Sequence, residues 1–394
     1  MAATASFAQS SVSVDGTIDA GYQSINYKGA DNTVNGIAGN GSSTTQFNLR
    51  GTEDLGGGLR ANFRFETQFN AVSNMANQGT AASVNATPNN GLNSINGSAS
   101  TFGNGEIRVG LQGGFGRIDA GTVNYNSLTS FTTGQPFGTA IGSGFRTMYI
   151  NDTQATSQVR AENSVRYQSP TINGFTASLY KSNQQNKASN STPASTATNG
   201  LNPQANAFST SMGAYDQIGI TEVGLNYAKG PLAASVSQLK QDNKGIQAAG
   251  SSMGAAGTTE STVTTVGANY AITGATKLFG LYQTNATNTK STDNTAMTVS
   301  VTHTMGAIVL MAQVGNLKAD AGTFKGKKTN FTGIGADYNL SKRTAVYFRA
   351  ETIDDKAVAM NGAVNPSQIT GNANASALTD QKFARTAVGI RHNF

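Results

Sequence analysis

Leu59-Arg60-Ala61-Asn62-Phe63-Arg64-Phe65-Glu66-Thr67-Gln68-Phe69 carries two chemistries on one short segment. Leu59, Ala61, Phe63, Phe65 and Phe69 share one parity; Arg60, Asn62, Arg64, Glu66 and Gln68 share the other. A period of two is that of a β-strand, whose successive side chains point to opposite faces. Residues 105–112 repeat it, with Ile107, Val109 and Leu111 against Glu106, Arg108 and Gln112. Residues 160–168 also fit, with Ala161, Val165 and Tyr167 against Arg160, Glu162, Ser164, Arg166 and Gln168. The final Ala387-Val388-Gly389-Ile390-Arg391-His392-Asn393-Phe394 alternates to the last residue, so the last strand is expected to pair with the first.

Composition excludes ordinary soluble domains. Only 12% of the 394 residues are charged, against roughly 25% in a typical soluble protein. Hydrophobic residues reach only 37%, and Gly, Asn, Ser, Thr and Ala fill the gap. No stretch approaches the ~20 apolar residues of a membrane helix. The chain has no cysteine and two histidines, His303 and His392, so no metal site or cofactor is expected. The net charge of +6 comes without a Lys/Arg run, which argues against nucleic acid as a partner. The Asp354-Asp355 pair has no nucleophile or positioned base beside it, so no enzyme is expected.

Connections along the chain come in two kinds. Tight turns stand at Asp54-Leu55-Gly56-Gly57-Gly58, Gly113-Gly114-Phe115-Gly116, Lys229-Gly230-Pro231, Met305-Gly306-Ala307 and Leu340-Ser341-Lys342-Arg343. Long polar segments occupy residues 70–103, 122–158, 182–215 and 355–380. The two alternate, as in an up-and-down barrel with tight turns at one rim and loops at the other. Sixteen strands are expected, with no helix of useful length. The fold class is thus all-β: a 16-stranded antiparallel transmembrane β-barrel. A barrel of that size encloses water rather than a packed core. Its apolar face then meets lipid and its charged face the water column. Residues 9–394 are expected to form this one domain. Residues 1–8, with Ser6 and Ala8 at the spacing of a signal-peptidase site, read as a signal-peptide remnant.

Several blocks, in order, resemble the general trimeric outer-membrane porins of β-proteobacteria, of the neisserial and comamonad type. They are residues 11–21; Asn48-Leu49-Arg50-Gly51-Thr52-Glu53-Asp54-Leu55-Gly56-Gly57-Gly58-Leu59-Arg60-Ala61; Val109-Gly110-Leu111-Gln112-Gly113-Gly114-Phe115-Gly116; residues 163–170; and Val388-Gly389-Ile390-Arg391-His392-Asn393-Phe394. The resemblance implies a homotrimer in the bacterial outer membrane, amid its lipid and lipopolysaccharide. It implies passive diffusion of small inorganic and organic solutes through a water-filled channel. It further implies that the third long loop, residues 122–158, folds into the barrel and narrows it. There Gln135-Pro136-Phe137-Gly138 echoes the Pro-Glu-Phe-Gly-Gly turn of enterobacterial porins without its acid. The terminal Phe394 is implied to be the signal read by the barrel-assembly machinery, and residues 70–103 to latch onto a neighbouring subunit.

Parity places Arg50, Arg60, Arg64, Arg108, Arg117, Arg160, Arg166, Arg349, Arg385 and Arg391 in the lumen, with Asp15, Asp19, Glu66, Asp119, Glu162 and Glu351. The inward loop adds only Arg146 and Asp152. Arg50, Arg64, Arg108, Arg160, Arg166 and Glu66 are the wall residues expected to line the pore, with Arg146 and Asp152 facing them. A basic wall opposite a nearly neutral loop predicts a mild anion preference. Where relatives place arginines, this chain has Gln46 and Gly105 or Glu106, which thins the basic row. A substrate-specific channel would need lumenal aromatics, and the chain has no Trp. A secreted adhesive β-protein would show a short fixed repeat, and none is visible.

Overall fold

The computed structural model describes residues 10–28, 32–69, 71–72, 103–145, 159–188, 215–246, 258–290, 293–322, 325–355 and 381–394. The strands are β1 (Ser11–Lys28), β2 (Asn32–Gly39), β3 (Gln46–Gly56), β4 (Leu59–Gln68), β5 (Ile107–Gly113), β6 (Gly116–Asn124), β7 (Arg160–Gln168), β8 (Phe175–Ala188) and β9 (Tyr215–Lys229). They continue with β10 (Leu232–Ile246), β11 (Thr258–Ala271), β12 (Thr276–Thr287), β13 (Asn294–Met305), β14 (Ile308–Ala319), β15 (Lys328–Asn339), β16 (Thr344–Asp355) and β17 (Gln381–Asn393). All belong to one antiparallel sheet.

The sheet closes. β17 pairs β1 from Thr17 opposite Asn393 to Lys28 opposite Lys382. Phe394 extends the seam, exchanging two 3.1 Å backbone hydrogen bonds with Gly16. Its ring lies over Gly16, where a Cβ would fall 2.5 Å from Phe394 Cζ. Closure leaves no row of unpaired amides, which hydrocarbon would not tolerate.

Seventeen strands make sixteen staves, because β2 and β3 are one stave in two pieces. β2 pairs the upper half of β1, from Ala20 opposite Gly39 to Tyr27 opposite Asn32. β3 pairs the lower half, from Ser11 opposite Thr52 to Thr17 opposite Gln46. β3 is thus only the lower piece of the second stave. Between the pieces, residues 40–45 leave the sheet; Asn40 adopts φ 62° and its Oδ1 accepts from Thr45 N at 2.7 Å.

The two faces differ as the alternation predicts. On β14, Ile308, Leu310 and Val314 are exposed on the outside, while Gln313, Leu317 and Ala319 are buried inside. Phe63 is exposed on the outer face of β4. At the short-turn rim Phe115, Phe175, Tyr270, Tyr338 and Phe394 are exposed, the girdle expected where lipid meets water. Both histidines sit near this rim in equivalent cross-strand pairs: His303 Nδ1 with Thr276 Oγ1, and His392 Nδ1 with Thr344 Oγ1, each at 2.9 Å.

Parity fails within β7. Asn163 takes φ 50°, and the β6–β7 register shifts between Gly121 and Val123. This bulge turns Ala161 inward, into an apolar cluster with Val123, Tyr125, Tyr180, Ile220 and Leu239. A residue read as lipid-facing is therefore interior. The extra residue of a bulge re-aims a side chain beside it.

Val314 sits at mid-strand on the outer face, so Val314→Arg should destabilise the barrel by about 2–4 kcal/mol in lipid. Urea unfolding in vesicles measures this, with Val314→Ala as the control. An arginine that costs no more than the alanine would place this face in water.

Candidate functional site

The third long connection leaves β6 and turns into the barrel. Helix α1 (Asn126–Thr133), unforeseen in the sequence, lies against β9, β10 and β11. Its N-cap, Tyr125, makes no side-chain cap. The barrel wall caps it instead: Glu222 of β9 accepts from Asn126 N at 2.5 Å and from Ser127 N at 2.7 Å. A carboxylate there satisfies orphan amides and complements the helix dipole. Asn269 Nδ2 donates to Thr133 O at 2.8 Å at the other end. Ser130 Oγ meets Ser235 Oγ at 2.7 Å, and Asn226 Nδ2 donates to Asn126 Oδ1 at 2.8 Å. Contact this close requires a glycine in the wall. A Cβ on Gly267 would fall 1.8 Å from Ser130 O.

Beyond the helix the chain folds tightly on Gln135. Its Oε1 accepts from Phe137 N and its Nε2 donates to Gly138 O, each at 2.6 Å. Phe137 is buried, with its ring 5.9 Å from the Arg349 guanidinium. Pro136 is half-buried; Gly138 is exposed at φ 60°. The next turn is clamped by Glu351 of β16. Its Oε2 accepts from Gly142 N at 2.7 Å, and its Oε1 accepts from Arg385 Nε and Nη2 at 3.0 and 2.7 Å. Gln313 Nε2 donates to Ser143 O at 3.1 Å. Phe145 returns to Phe131, ring centroids 5.0 Å apart.

The break in the second stave meets this loop. Asp19 of β1 is fully buried and accepts from Gly41 N, Ser42 N and Ser43 N at 3.2, 2.8 and 2.7 Å, and from Tyr347 OH at 2.6 Å. Arg349 and Arg391 each donate to Ser42 Oγ at 3.1 Å. Ile141 N donates to Gly41 O at 3.4 Å. The tucked segment and the loop tip thus brace each other.

The loop contacts so far engage β9–β11 and β14–β16. Facing them are β3 to β7. The register sets Arg50 opposite Arg64 and Arg64 opposite Arg108, a row across three adjacent strands. Like charges directly opposed destabilise a sheet, and carboxylates intervene. Glu106 accepts from Arg64 at 2.8 Å and from Asn124 N at 3.1 Å. Glu66 also pairs with Arg64, and lies 3.8 Å from Arg160. Buried Asp119 holds Arg108, Arg117 and Arg166 at 2.9, 2.8 and 3.0 Å. Asp15 pairs with Arg50 at 2.9 Å, both side chains more than two-fifths exposed. The network joins six arginines (Arg50, Arg64, Arg108, Arg117, Arg160, Arg166) to four carboxylates (Asp15, Glu66, Glu106, Asp119).

Of the site residues expected from sequence, Arg50, Arg64, Arg108, Arg160, Arg166 and Glu66 stand together on this wall. Pro136, Phe137 and Gly138 form the inward turn, with Phe137 buried beneath it. Arg146 and Asp152 lie outside the described residues. Glu106 sits inside the network; its parity with Arg108 was the available signal. Asp19 and Glu351 have the expected inward parity, but they grip loop backbone instead of facing water. Nothing local marks Glu222 as the cap of a helix 96 residues away.

Because Arg385 and Glu351 are both buried, Glu351→Ala should cost about 3–5 kcal/mol by breaking a buried ion pair. It should also free the loop, giving larger and noisier single-channel steps. Glu351→Leu with Arg385→Leu separates the two effects: thermal stability returns and the noise remains. Steps as quiet as wild type in both variants would remove the clamp.

A family model described as Gram-negative porin matches residues 1–357. Outer membrane porin protein 32 of Delftia acidovorans is 26% identical over the whole of this chain and 97% of its own length. An outer membrane porin of Bordetella pertussis is 28% identical over the whole chain and 96% of its length. Among solved structures, an anion-selective porin from Comamonas acidovorans superposes with a TM-score of 0.68, 24% identity, and coverage of 98% of this chain and all of that one. The trimer form of OmpT from Vibrio cholerae gives 0.61 at 12% identity over 98% of this chain and 99% of that one. With its closed sixteen-stave barrel, its inward loop and the family match over most of its length, the chain belongs to the Gram-negative porins, channel proteins of the outer membrane.

Proposed function

We propose that this porin passes small hydrophilic solutes with a mild preference for anions, and that it works as a homotrimer. The observation that carries the preference is the row Arg50–Arg64–Arg108. It belongs to a network with six arginines and four carboxylates, and it faces a loop whose residues 122–145 include no charged side chain. A pore selects by its narrowest section and by the charges lining it. Arg50, Arg64, Arg108, Arg160 and Arg166 are the cationic side of that section, moderated by Glu66. The likeness to the anion-selective porin of Comamonas acidovorans supports the sign, and the likeness to a porin in trimer form supports the assembly. Phe394, exposed at the seam between last and first strands, is the feature offered to the barrel-assembly machinery.

Burial of the inward aromatics speaks against a substrate-specific channel. Tyr125, Phe131, Phe137 and Tyr347 are covered by the loop and the wall, and form no aromatic track along the water column.

Arg50 is the most exposed arginine of the row, so it dominates the test. Arg50→Gln should lower the anion-to-cation permeability ratio, and Asp15→Asn should raise it. Each change should be at most about fivefold, since one charge a few ångströms from an ion in water contributes ~1 kcal/mol before screening. Reversal potentials across a salt gradient, on purified trimers in planar bilayers, read both. A clear cation preference of the wild type would defeat the proposal.

A further inference from the structure

One carboxylate of the basic wall reaches in two directions. Glu106 is buried immediately before β5. Its Oε2 accepts from Arg64 Nη1 at 2.8 Å and lies 3.5 Å from Arg108 Nε. Its Oε1 accepts from the backbone N–H of Asn124 at 3.1 Å. Asn124 is the last residue of β6, and the next residue, Tyr125, is the N-cap of α1. The two oxygens are thus divided between the arginine row and the root of the inward loop.

Asn124 is held by the charged network on three of its polar groups. Its N–H donates to Glu106, its backbone O accepts from Arg166 Nη1 at 3.1 Å, and its Oδ1 accepts from Arg160 Nη1 at 3.1 Å. One residue further on, Tyr125 N donates to Val159 O at 2.8 Å, which joins the outgoing chain to the returning one. The loop therefore springs from a point that the filter itself holds in place. The neighbouring acid lacks this second connection. Glu66 pairs with Arg64, lies 3.8 Å from Arg160 and accepts from Gln68 Nε2 at 3.1 Å. Among the described residues its side chain accepts from no loop amide. Gly105 leaves room for the two acids to stand side by side, since a Cβ there would fall 2.4 Å from Glu66 Cγ.

A buried carboxylate between two arginines lowers the positive potential that they set in the water beside them, and burial leaves it little screened by salt. A hydrogen bond to the amide at a loop's root fixes where the loop begins. We propose that Glu106 is a specificity-determining residue of this channel that also positions the constricting loop. Its charge sets how strongly the arginine row prefers anions, and its bond to Asn124 holds the aperture. Charge selectivity and pore width are therefore coupled at one side chain. The proposal rests on the channel reading above and adds the residue that sets the strength of the preference.

Reversal potentials and single-channel recordings of the full-length porin in planar bilayers separate the two roles. Glu106→Gln keeps an oxygen acceptor for Asn124 and Arg64 and removes only the charge. It should raise the anion-to-cation permeability ratio about threefold over wild type, within the reach of one partly screened charge beside the water column, with steps as quiet as wild type. Glu106→Ala should raise the ratio equally and, with the Asn124 amide released, give larger and noisier steps. Glu66→Ala removes a like charge without a loop contact, so it should raise the ratio and leave the steps quiet. A ratio unchanged in Glu106→Gln would overturn the proposal. So would steps in Glu106→Ala as quiet as those of Glu66→Ala. Glu106→Gln is isosteric with the native side chain and decides the charge role even where the alanine variant does not assemble. Each ratio is read against wild type, so a wild-type channel that prefers cations defeats the sign proposed above and not the role of Glu106.

Discussion

In hydrocarbon a backbone N–H or C=O has no water to turn to. Every such group in the spanning part of this chain must find a partner within the protein. Pairing β17 with β1 meets that demand and shapes the rest of the molecule. A closed ring of sixteen staves has an inside too wide for side chains to fill. Its inward residues can be polar, and segments of the chain itself can be laid against them.

Laying backbone against a wall exposes fresh amides, and three buried carboxylates take them up. Glu222 receives the start of α1, Glu351 receives Gly142, and Asp19 receives residues 41–43. Each works as a side-chain cap does in a soluble protein, except that the cap is on a remote strand. The loop is thereby held at several separate points and keeps one shape inside a water-filled space. The apolar cluster around Ala161, Ile220 and Leu239 lies where the loop leaves the wall, a stretch of lumen where apolar side chains are kept from water.

Opposite the loop, the same wall carries a cost. Three arginines in register repel, and the carboxylates beside them neutralise most but not all of that charge. Pairs such as Arg50 with Asp15 are half-solvated and contribute little to stability. Their effect is on the potential in the water column, which is the property a channel uses. The excess of arginine over carboxylate and the neutral loop together set its sign.

The alternation at Phe63 and Phe65, the strictly alternating turn lengths and the scarcity of charge determined the barrel, its stave count and its two faces. Those features are local, and a period of two is visible in one dimension. The inward parity of Arg50, Arg64 and Arg108 was equally legible. That they stand side by side was not, since register depends on turn geometry and on partners far along the chain. The split second stave, the bulge at Asn163, the helix after Tyr125 and the conversion of Asp19, Glu222 and Glu351 into backbone clamps belong to tertiary structure alone. Each depends on a contact between residues tens or hundreds of positions apart, and only folding brings a carboxylate on one stave to an amide in a loop from another.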